Sequence, residues 1–332
     1  MGWRTTRDVA DFLGAAGAYL RQERARNTVL LTVTEQLRVS QARGAGTPGG
    51  GAATEVIGPL AAAGPPAAAG ASAAADLTRD AAMAADVGDP ARLPLFGWWA
   101  GRCDEVGGAF MHTPPHPLLL TAVSADAAVE LAAGLAGRAL SGVNAYPDAA
   151  RRFAAAWRDA TGCSAAPLRG MRLYRLAELT WPDPAPDGEP RVAADADVPL
   201  LAGWFAAFAR ETHGAAEEDH AAAVRDRLGY GGMSVWQAGG RPVSMGGVSR
   251  QVAGMVRIGP VYTPPGLRGH GYASAITADL SRRARDAGAD EVLLYTDLDN
   301  PVSNSIYQRI GYRAVEDRVV LAFSAPGPAT ER

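Results

Sequence analysis

The chain has 332 residues, 48% hydrophobic and 20% charged, a composition typical of a folded protein with room for two domains. Its formal net charge of −3 gives no overall attraction to nucleic acid or to an anionic membrane. All 32 basic residues are arginine, which excludes P-loop nucleotide-binding proteins and pyridoxal-phosphate enzymes, because both need a lysine. No apolar run is long enough to span a bilayer and the N terminus has no signal-peptide core, so we expect a cytoplasmic protein.

Two breaks in composition predict the organisation of the chain. Residues 44–90 are rich in Ala, Gly and Pro and cannot bury enough apolar area to order themselves, which indicates an insertion. Residues 181–191 are polar and rich in Pro, which is typical of a linker. We therefore predict an N-terminal domain over 1–180, a C-terminal domain over 192–324 and a tail over 325–332.

The elements of the first half recur in the second half. We predict strand 117–123, helix 126–139, strand 141–146, helix 148–160 and strand 171–178. The same order of elements is predicted over 255–323, without detectable sequence identity, so we interpret the two halves as a topological repeat.

The second half begins with two helices and a hairpin. Hydrophobic residues at helical spacing predict helices over 195–210 and 217–228. Gly239 and Gly240 supply the turn between the next two strands. The predicted elements are strands Met233–Gln237, Pro242–Ser249 and Met255–Tyr262, helix Tyr272–Ala287, strand Glu291–Tyr295, helix Val302–Ile310 and strand Tyr312–Phe323. The expected fold class is α/β (α+β), with each half a mixed, mostly antiparallel sheet flanked by helices.

A glycine-rich loop, GLRGHGYAS over 266–274, lies between a predicted strand and a predicted helix. Gly269 and Gly271 allow a ligand to approach the backbone, and the free N–H groups at the start of the helix favour a pyrophosphate. Many ordinary turns have this pattern, so the loop alone is a weak signal. A dinucleotide fold is disfavoured by Ser274, where a third glycine is expected, and a kinase loop by the lack of lysine.

A second segment, NPVSNSIYQRIGY over 300–312, follows one helix and one strand after the glycine loop. Together the two segments resemble the signature of the GCN5-related N-acetyltransferase superfamily, over about 233–323. The resemblance implies an acyl-CoA N-acyltransferase fold, acetyl-CoA as co-substrate and a small-molecule or peptide amine as acceptor. Ser124 and Asp126 replace the glycines at the matching point of the first half, and Phe153 and Trp157 occupy its last helix. The first half therefore resembles a degenerate copy.

The resemblance also implies roles for individual residues. Tyr307 would protonate the leaving sulfur, for which a phenol with a pKa near 10 is suited. Arg268 would compensate for Gly266, which stands where the family often has Gln or Arg. The implied cofactor contacts are the strand end Val261, Tyr262 and Thr263, the loop residues Arg268, Gly269, His270, Gly271, Tyr272 and Ala273, then Ser274, Asn300 and Asn304.

The acceptor amine must lose a proton, and acidic residues near the first two helices of the second half are candidate bases. We single out Glu211, because it follows a helix whose apolar face ends at Phe208. A solvated acidic loop and a water chain in place of a base are the alternatives.

Other chemistries find little support in the sequence. Thr-Pro-Pro separates His112 from His116 and prevents a helical pair of zinc ligands, so we expect no metal. Without a Gly-x-Ser-x-Gly elbow, direct acetyl transfer is expected. Cys103 and Cys163 are expected to be buried thiols, although a cysteine acyl intermediate stays open. The alternative function is a non-catalytic acyl-CoA-binding or sensor protein.

Overall fold

The computed structural model describes residues 1–44, 93–102, 105–213 and 220–325. They divide into two compact units. The first unit contains the described residues up to Gly170 and those from Asp317 onward, and the second contains Met171–Glu316. The predicted insertion, apart from Gly44, lies outside the described residues, as does Cys103.

The first unit is a sheet flanked by helices. Its elements are β1 (Gly2–Thr6), α1 (Val9–Gln22), α2 (Thr28–Gly44), β2 (Leu95–Ala100), β3 (Val106–His112), β4 (Leu118–Leu120), α3 (Ala125–Leu135), β5 (Gly142–Ala145) and α4 (Pro147–Thr161). Strand order is β1-β2-β3-β4-β5-β12, where β12 is Tyr312–Ser324. Only β4 and β5 pair in parallel in this part of the chain. Helices α3 and α4 bury Leu131 and Phe153 against Leu118 and Val143.

The second unit repeats this arrangement. Its elements are β6 (Ser164–Leu176, which begins in the first unit), β7 (Glu189–Val192), α5 (Val198–His213), α6 (His220–Leu228), β8 (Met233–Ala238), β9 (Arg241–Val248), β10 (Met255–Tyr262), α7 (Tyr272–Asp286), β11 (Glu291–Asp297) and α8 (Pro301–Arg309). Strand order is β6-β11-β10-β9-β8-β7. Within Met171–Glu316, β10 and β11 are the parallel pair and their neighbours are antiparallel. The expected mixed, mostly antiparallel sheet flanked by helices is confirmed.

Helix α7 illustrates how the sequence specifies these elements. Its expected apolar face is buried at Ile276, Leu280 and Ala284. The first two pack in the same core as Val256 of β10 and Leu294 of β11. Burial of a side chain of this size contributes roughly 1.5–3 kcal/mol, so the face fixes the helix on the sheet. Gly288, with φ of 87°, follows the helix as expected for a C-terminal stop.

Each unit includes strand residues from the other predicted half of the chain. Residues Met171–Arg175 of β6 pair with β11, and Val319–Ala322 of β12 pair with β5. The two units therefore do not coincide with the predicted domains, 1–180 and 192–324. The apolar pattern of a strand does not specify which strand it pairs with, so this exchange is not visible in the sequence.

Several predicted boundaries also need correction. The predicted linker contains β7, which pairs with β8 as the last strand of the second unit. Strand 117–123 shortens to Leu118–Leu120, and five elements before it, β1 to β3 with α1 and α2, were not predicted. Cys163 is a free thiol but half-buried rather than buried. No helix in the described parts of the chain has the length and apolar character needed to cross a membrane.

Candidate functional site

The two parallel strands of the second unit separate part of the way along their length. Met255–Arg257 of β10 pair with Glu291–Leu293 of β11, and within the described residues the ladder stops there. On its opposite edge, β11 continues to pair with β6 from Leu293 to Asp297. The pairing of β10 with β9, on its other edge, is also irregular, because the register shifts between Ile258 and Val261. An opening between two parallel strands is therefore built into the sheet.

The end of β10 is fixed by hydrogen bonds behind this opening. The Ser244 hydroxyl donates to the Tyr262 carbonyl oxygen at 3.0 Å, and its oxygen lies 2.9 Å from that of the Thr263 hydroxyl. Val261, Tyr262 and Thr263 are all at most 7% exposed. The structure thus places these three expected contact residues beside the opening. Their contact with a cofactor stays a prediction.

The glycine loop leads from this strand into the N terminus of α7. Gly269 and Gly271 have φ of 82° and 81°, a left-handed conformation that L side chains rarely adopt. Gly271 is the N-cap of α7 and has no side chain that could accept a hydrogen bond from the first turn. The first N–H groups of a helix have no partner within the helix, and its dipole places positive charge there. The loop therefore presents donors suited to an anion.

Two neighbours shape the loop. A Cβ built on Gly271 would lie 3.6 Å from the Pro186 side chain, whereas one on Gly269 would meet nothing within 4 Å. His270 stacks on Tyr272 with ring centroids 5.5 Å apart, and its Nδ1 lies 2.9 Å from the Arg268 carbonyl oxygen. Sequence reasoning missed Pro186, because it assigned residues 181–191 to a linker and the spacing of these residues carries no sign of the contact.

Arg268 and Glu211 form an ion pair at the end of β10. Arg268 donates from Nη2 to Glu211 Oε2 at 2.5 Å and from Nε to the Thr263 carbonyl oxygen at 2.9 Å. The Tyr262 hydroxyl donates to Glu211 Oε1 at 2.9 Å. Burial, followed by this hydrogen bond to Glu211, raises the pKa of Tyr262. The structure thus brings the expected base next to the expected phosphate loop, with both carboxylate oxygens engaged.

The two asparagines of the second motif organise α8. Asn300 caps the helix, its Oδ1 accepting from the Ser303 N–H at 3.0 Å. Asn304 donates from Nδ2 to the carbonyl oxygens of Asp297 and Asn300, at 2.9 and 2.8 Å. These two bonds use both N–H groups of the amide, so any further bond by Asn304 must be accepted by its oxygen. That oxygen already accepts from the Tyr174 hydroxyl at 2.9 Å. The sequence did not single out Tyr174.

Tyr307 lies on α8 and is 2% exposed. Its ring contacts those of Tyr174 and Tyr312, at centroid distances of 6.5 and 6.0 Å. Its hydroxyl makes no hydrogen bond to any described residue, whereas the Tyr312 hydroxyl is bonded to the Ser281 hydroxyl at 2.7 Å. Burial raises the pKa of both tyrosines above the ordinary value. Tyr307 therefore keeps its proton at neutral pH and has a hydroxyl that the fold does not use.

Two remaining expectations concern other side chains. Residues 217–219, the acidic loop considered beside Glu211, lie outside the described residues. Among the residues that the structure describes, no three His, Cys, Asp or Glu side chains lie together in a group that could hold a metal ion.

Comparison with known proteins finds similarity to one family over the second unit. Residues 173–312 match the family model of the acetyltransferase (GNAT) family. A GCN5-related N-acetyltransferase from Sphaerobacter thermophilus is 15% identical with a TM-score of 0.50, covering 73% of this chain and 83% of that one. A Drosophila protein is 12% identical with a TM-score of 0.51, covering 71% and 80%. At these identities the likeness shows the fold alone. The search of curated proteins finds no match.

Proposed function

Residues 173–312 belong to the acetyltransferase (GNAT) family, and on that premise we propose that the chain transfers an acetyl group from acetyl-CoA to an amine. The observation that carries the proposal is the N terminus of α7, which has no side-chain cap and follows two left-handed glycines at the end of β10. Backbone N–H groups in this arrangement suit a pyrophosphate. Val261–Thr263 would hold the pantetheine arm, and Arg268 would add positive charge beside the loop.

Tyr307 is the proposed proton donor. Acetyl-CoA would supply the activated thioester, and Tyr307 would donate its proton to the sulfur as the carbon–sulfur bond breaks. A donor must be protonated beforehand and must have a hydroxyl that is not committed elsewhere. Burial keeps the Tyr307 hydroxyl protonated at neutral pH, and the lack of a hydrogen-bond partner among the described residues supports this role. Asn304, which binds the end of β11 to α8, would act by positioning that helix.

Glu211 is the proposed proton acceptor for the amine. Both carboxylate oxygens of Glu211 already accept hydrogen bonds, so Glu211 has to be released from Arg268 before it can accept a proton. A pyrophosphate bound at the loop would compete for the Arg268 guanidinium, because phosphate and carboxylate are both bidentate partners of arginine. In this proposal the cofactor site and the base are coupled through one side chain.

The second candidate function is non-catalytic binding of acyl-CoA. It is favoured by one observation, that both oxygens of Glu211 accept hydrogen bonds. Only the first function, acetyl transfer, predicts turnover of acetyl-CoA. The full chain should release CoA from acetyl-CoA in the presence of at least one class of amine, tested with amino acids, polyamines, small aromatic amines and peptides. Binding of acetyl-CoA without CoA release from any of these would favour the non-catalytic function.

We also propose that the first unit is a degenerate relative of the second. The matching order of elements and the single parallel pair in each described unit support this. In the first unit Phe153 stacks on Trp157, so apolar packing fills the helix that corresponds to α8.

A further inference from the structure

Two arginines are buried in the second unit, away from the glycine loop. Arg257 lies in the middle of β10 and is 2% exposed, and Arg227 lies in the last turn of α6 and is 5% exposed. Val256 and Ile258, on either side of Arg257, belong to the core beneath α7. Alternation along a strand therefore directs Arg257 to the opposite face, on which α5 and α6 pack.

Neither guanidinium is fully paired within the described residues. Arg257 Nε and Nη2 and Arg227 Nε have no hydrogen-bond partner there, and no ion pair to either side chain is formed. The Arg227 guanidinium carbon lies 5.5 Å from the centre of the Phe205 ring, an apolar neighbour that carries no neutralising charge. The contrast with Arg318 of the first unit is direct. That buried arginine donates from Nε to Asn144 Oδ1, and from Nη2 to the carbonyl oxygens of Leu120 and Asn144.

The two side chains also affect each other. Burial lowers the pKa of Arg257 to about 10, the neighbouring Tyr295 opposes this shift, and the charge of Arg227 adds to it. The Arg257 guanidinium is therefore still charged at neutral pH. A buried charge is unfavourable unless it is paired, and two like charges in one apolar region add repulsion to the cost of desolvation. One anion between them would remove both penalties.

We propose that Arg227 and Arg257 form a buried binding site for one compact monovalent anion, either a halide or the carboxylate of a small molecule. The surrounding side chains of this face, which include Met233, Val235 and Met245, are buried and apolar. Such surroundings exclude a large or strongly hydrated anion. The site is separate from the proposed acetyl transfer and does not depend on it.

The test measures thermal unfolding of the full chain at constant ionic strength, with gluconate replaced stepwise by chloride or by formate. A ligand that binds only the folded state raises Tm with the logarithm of its concentration above Kd. We expect Tm to rise by a few degrees over the titration, with the logarithm of the anion concentration. A rise with chloride alone identifies a halide site, and a rise with formate alone identifies a carboxylate site. A Tm that does not depend on which anion is present contradicts the proposal.

Two variants locate the effect. Arg257→Met replaces the guanidinium with an apolar side chain of similar length and should abolish the dependence of Tm on the anion. Arg227→Met should have the same effect and is the variant to use if Arg257→Met does not fold. Arg241→Met, on the exposed start of β9, is the control and should keep the full dependence. Crystals soaked in bromide provide a direct check for a halide site. An anion dependence that survives in both buried-arginine variants would overturn the proposal.

Discussion

The two units contain the same element, a parallel strand pair joined by a helix, and they differ where the first strand meets the helix. In the first unit Ser124 caps α3, and its hydroxyl accepts from the Ala127 N–H at 3.2 Å. In the second unit Gly271 caps α7 without any side-chain hydrogen bond. Helix α3 thus pairs one N–H group of its first turn with its own cap, whereas α7 leaves the N–H groups of its first turn available to a ligand. Topology alone therefore does not make a binding site. Whether a binding site is present depends on the residue at the N-cap of the helix.

The last helices of the two units differ in the same way. Helix α4 carries stacked apolar rings, whereas α8 carries Tyr307, whose hydroxyl has no partner among the described residues. The Trp157 indole N–H on α4 also lacks a partner among the described residues, but a phenol is a general acid of the kind this reaction needs and an indole is not. We interpret the N terminus of α7 and the Tyr307 hydroxyl as the functional groups, and the following variants test this interpretation.

The largest effect is expected for Tyr307→Phe. Loss of a general acid lowers kcat by roughly 10²–10⁴-fold, while the affinity for acetyl-CoA and Tm should change little, because no hydrogen bond of the fold is lost. Steady-state kinetics on a working amine measures this. The matched control is Tyr312→Phe, which removes the bond to Ser281, should cost about 1 kcal/mol of stability and should leave kcat unchanged. Reversed results for the two variants would show that Tyr312, and not Tyr307, has the catalytic role.

The second effect is the acid sensitivity of the first unit. Burial lowers the pKa of His116 to about 4, below the ordinary 6.5. The neutral form is the one the fold accommodates, so stability present above pH 6.5 is lost as the pH falls toward 4. For one histidine this amounts to ~2–3 kcal/mol at pH 4.5. Urea unfolding at pH 7 and pH 4.5 measures it.

His116→Leu is the informative variant for this effect, because the Nδ1 atom of His116 has no partner among the described residues. The substitution should cost little at pH 7 and should reduce the loss of stability between pH 7 and pH 4.5. An unchanged loss would show that another group titrates. His112, whose pKa is also lowered to about 4, mainly by burial, is the next candidate.

A third, smaller effect concerns Arg268. Arg268→Met removes one charge beside the proposed phosphate site and should weaken acetyl-CoA binding by about tenfold, or about 1.4 kcal/mol, measured by calorimetry. Arg282→Met is the control, since Arg282 lies near the other end of α7, where it is paired with Asp279 and Asp286. Equal losses in the two variants would indicate a general charge effect rather than a contact at the loop.

The smallest effect is expected in the first unit. Ser124→Ala removes the cap of α3 and should cost about 1 kcal/mol of stability, measured by urea unfolding. Binding of acetyl-CoA should not change, because the proposed cofactor site lies at the N terminus of α7, in the second unit. A change in affinity would mean that the N terminus of α3 also contributes to the cofactor site.

The sequence predicted the second unit well, since apolar periodicity and glycines marked β8 to β12 within a few residues of their ends. It also singled out the two segments on which the proposed site depends. It did not predict the β7 strand, because Pro184, Pro186 and Pro190 are typical of a linker. Nor did it predict the pairing of Glu211 with Arg268, because the two residues are 57 positions apart and only the fold brings them together.

The central claim is that acetyl-CoA binds only at the glycine loop and the N terminus of α7. A calorimetric titration of the full chain tests this claim most directly. Gly271→Val and Gly288→Val place the same side chain at opposite ends of α7, at φ of 81° and 87°, so both carry similar strain of roughly 1–2 kcal/mol. We predict one site per wild-type chain, binding abolished by Gly271→Val, and binding retained by Gly288→Val. Two sites per chain, or wild-type affinity in a folded Gly271→Val variant, would contradict the claim.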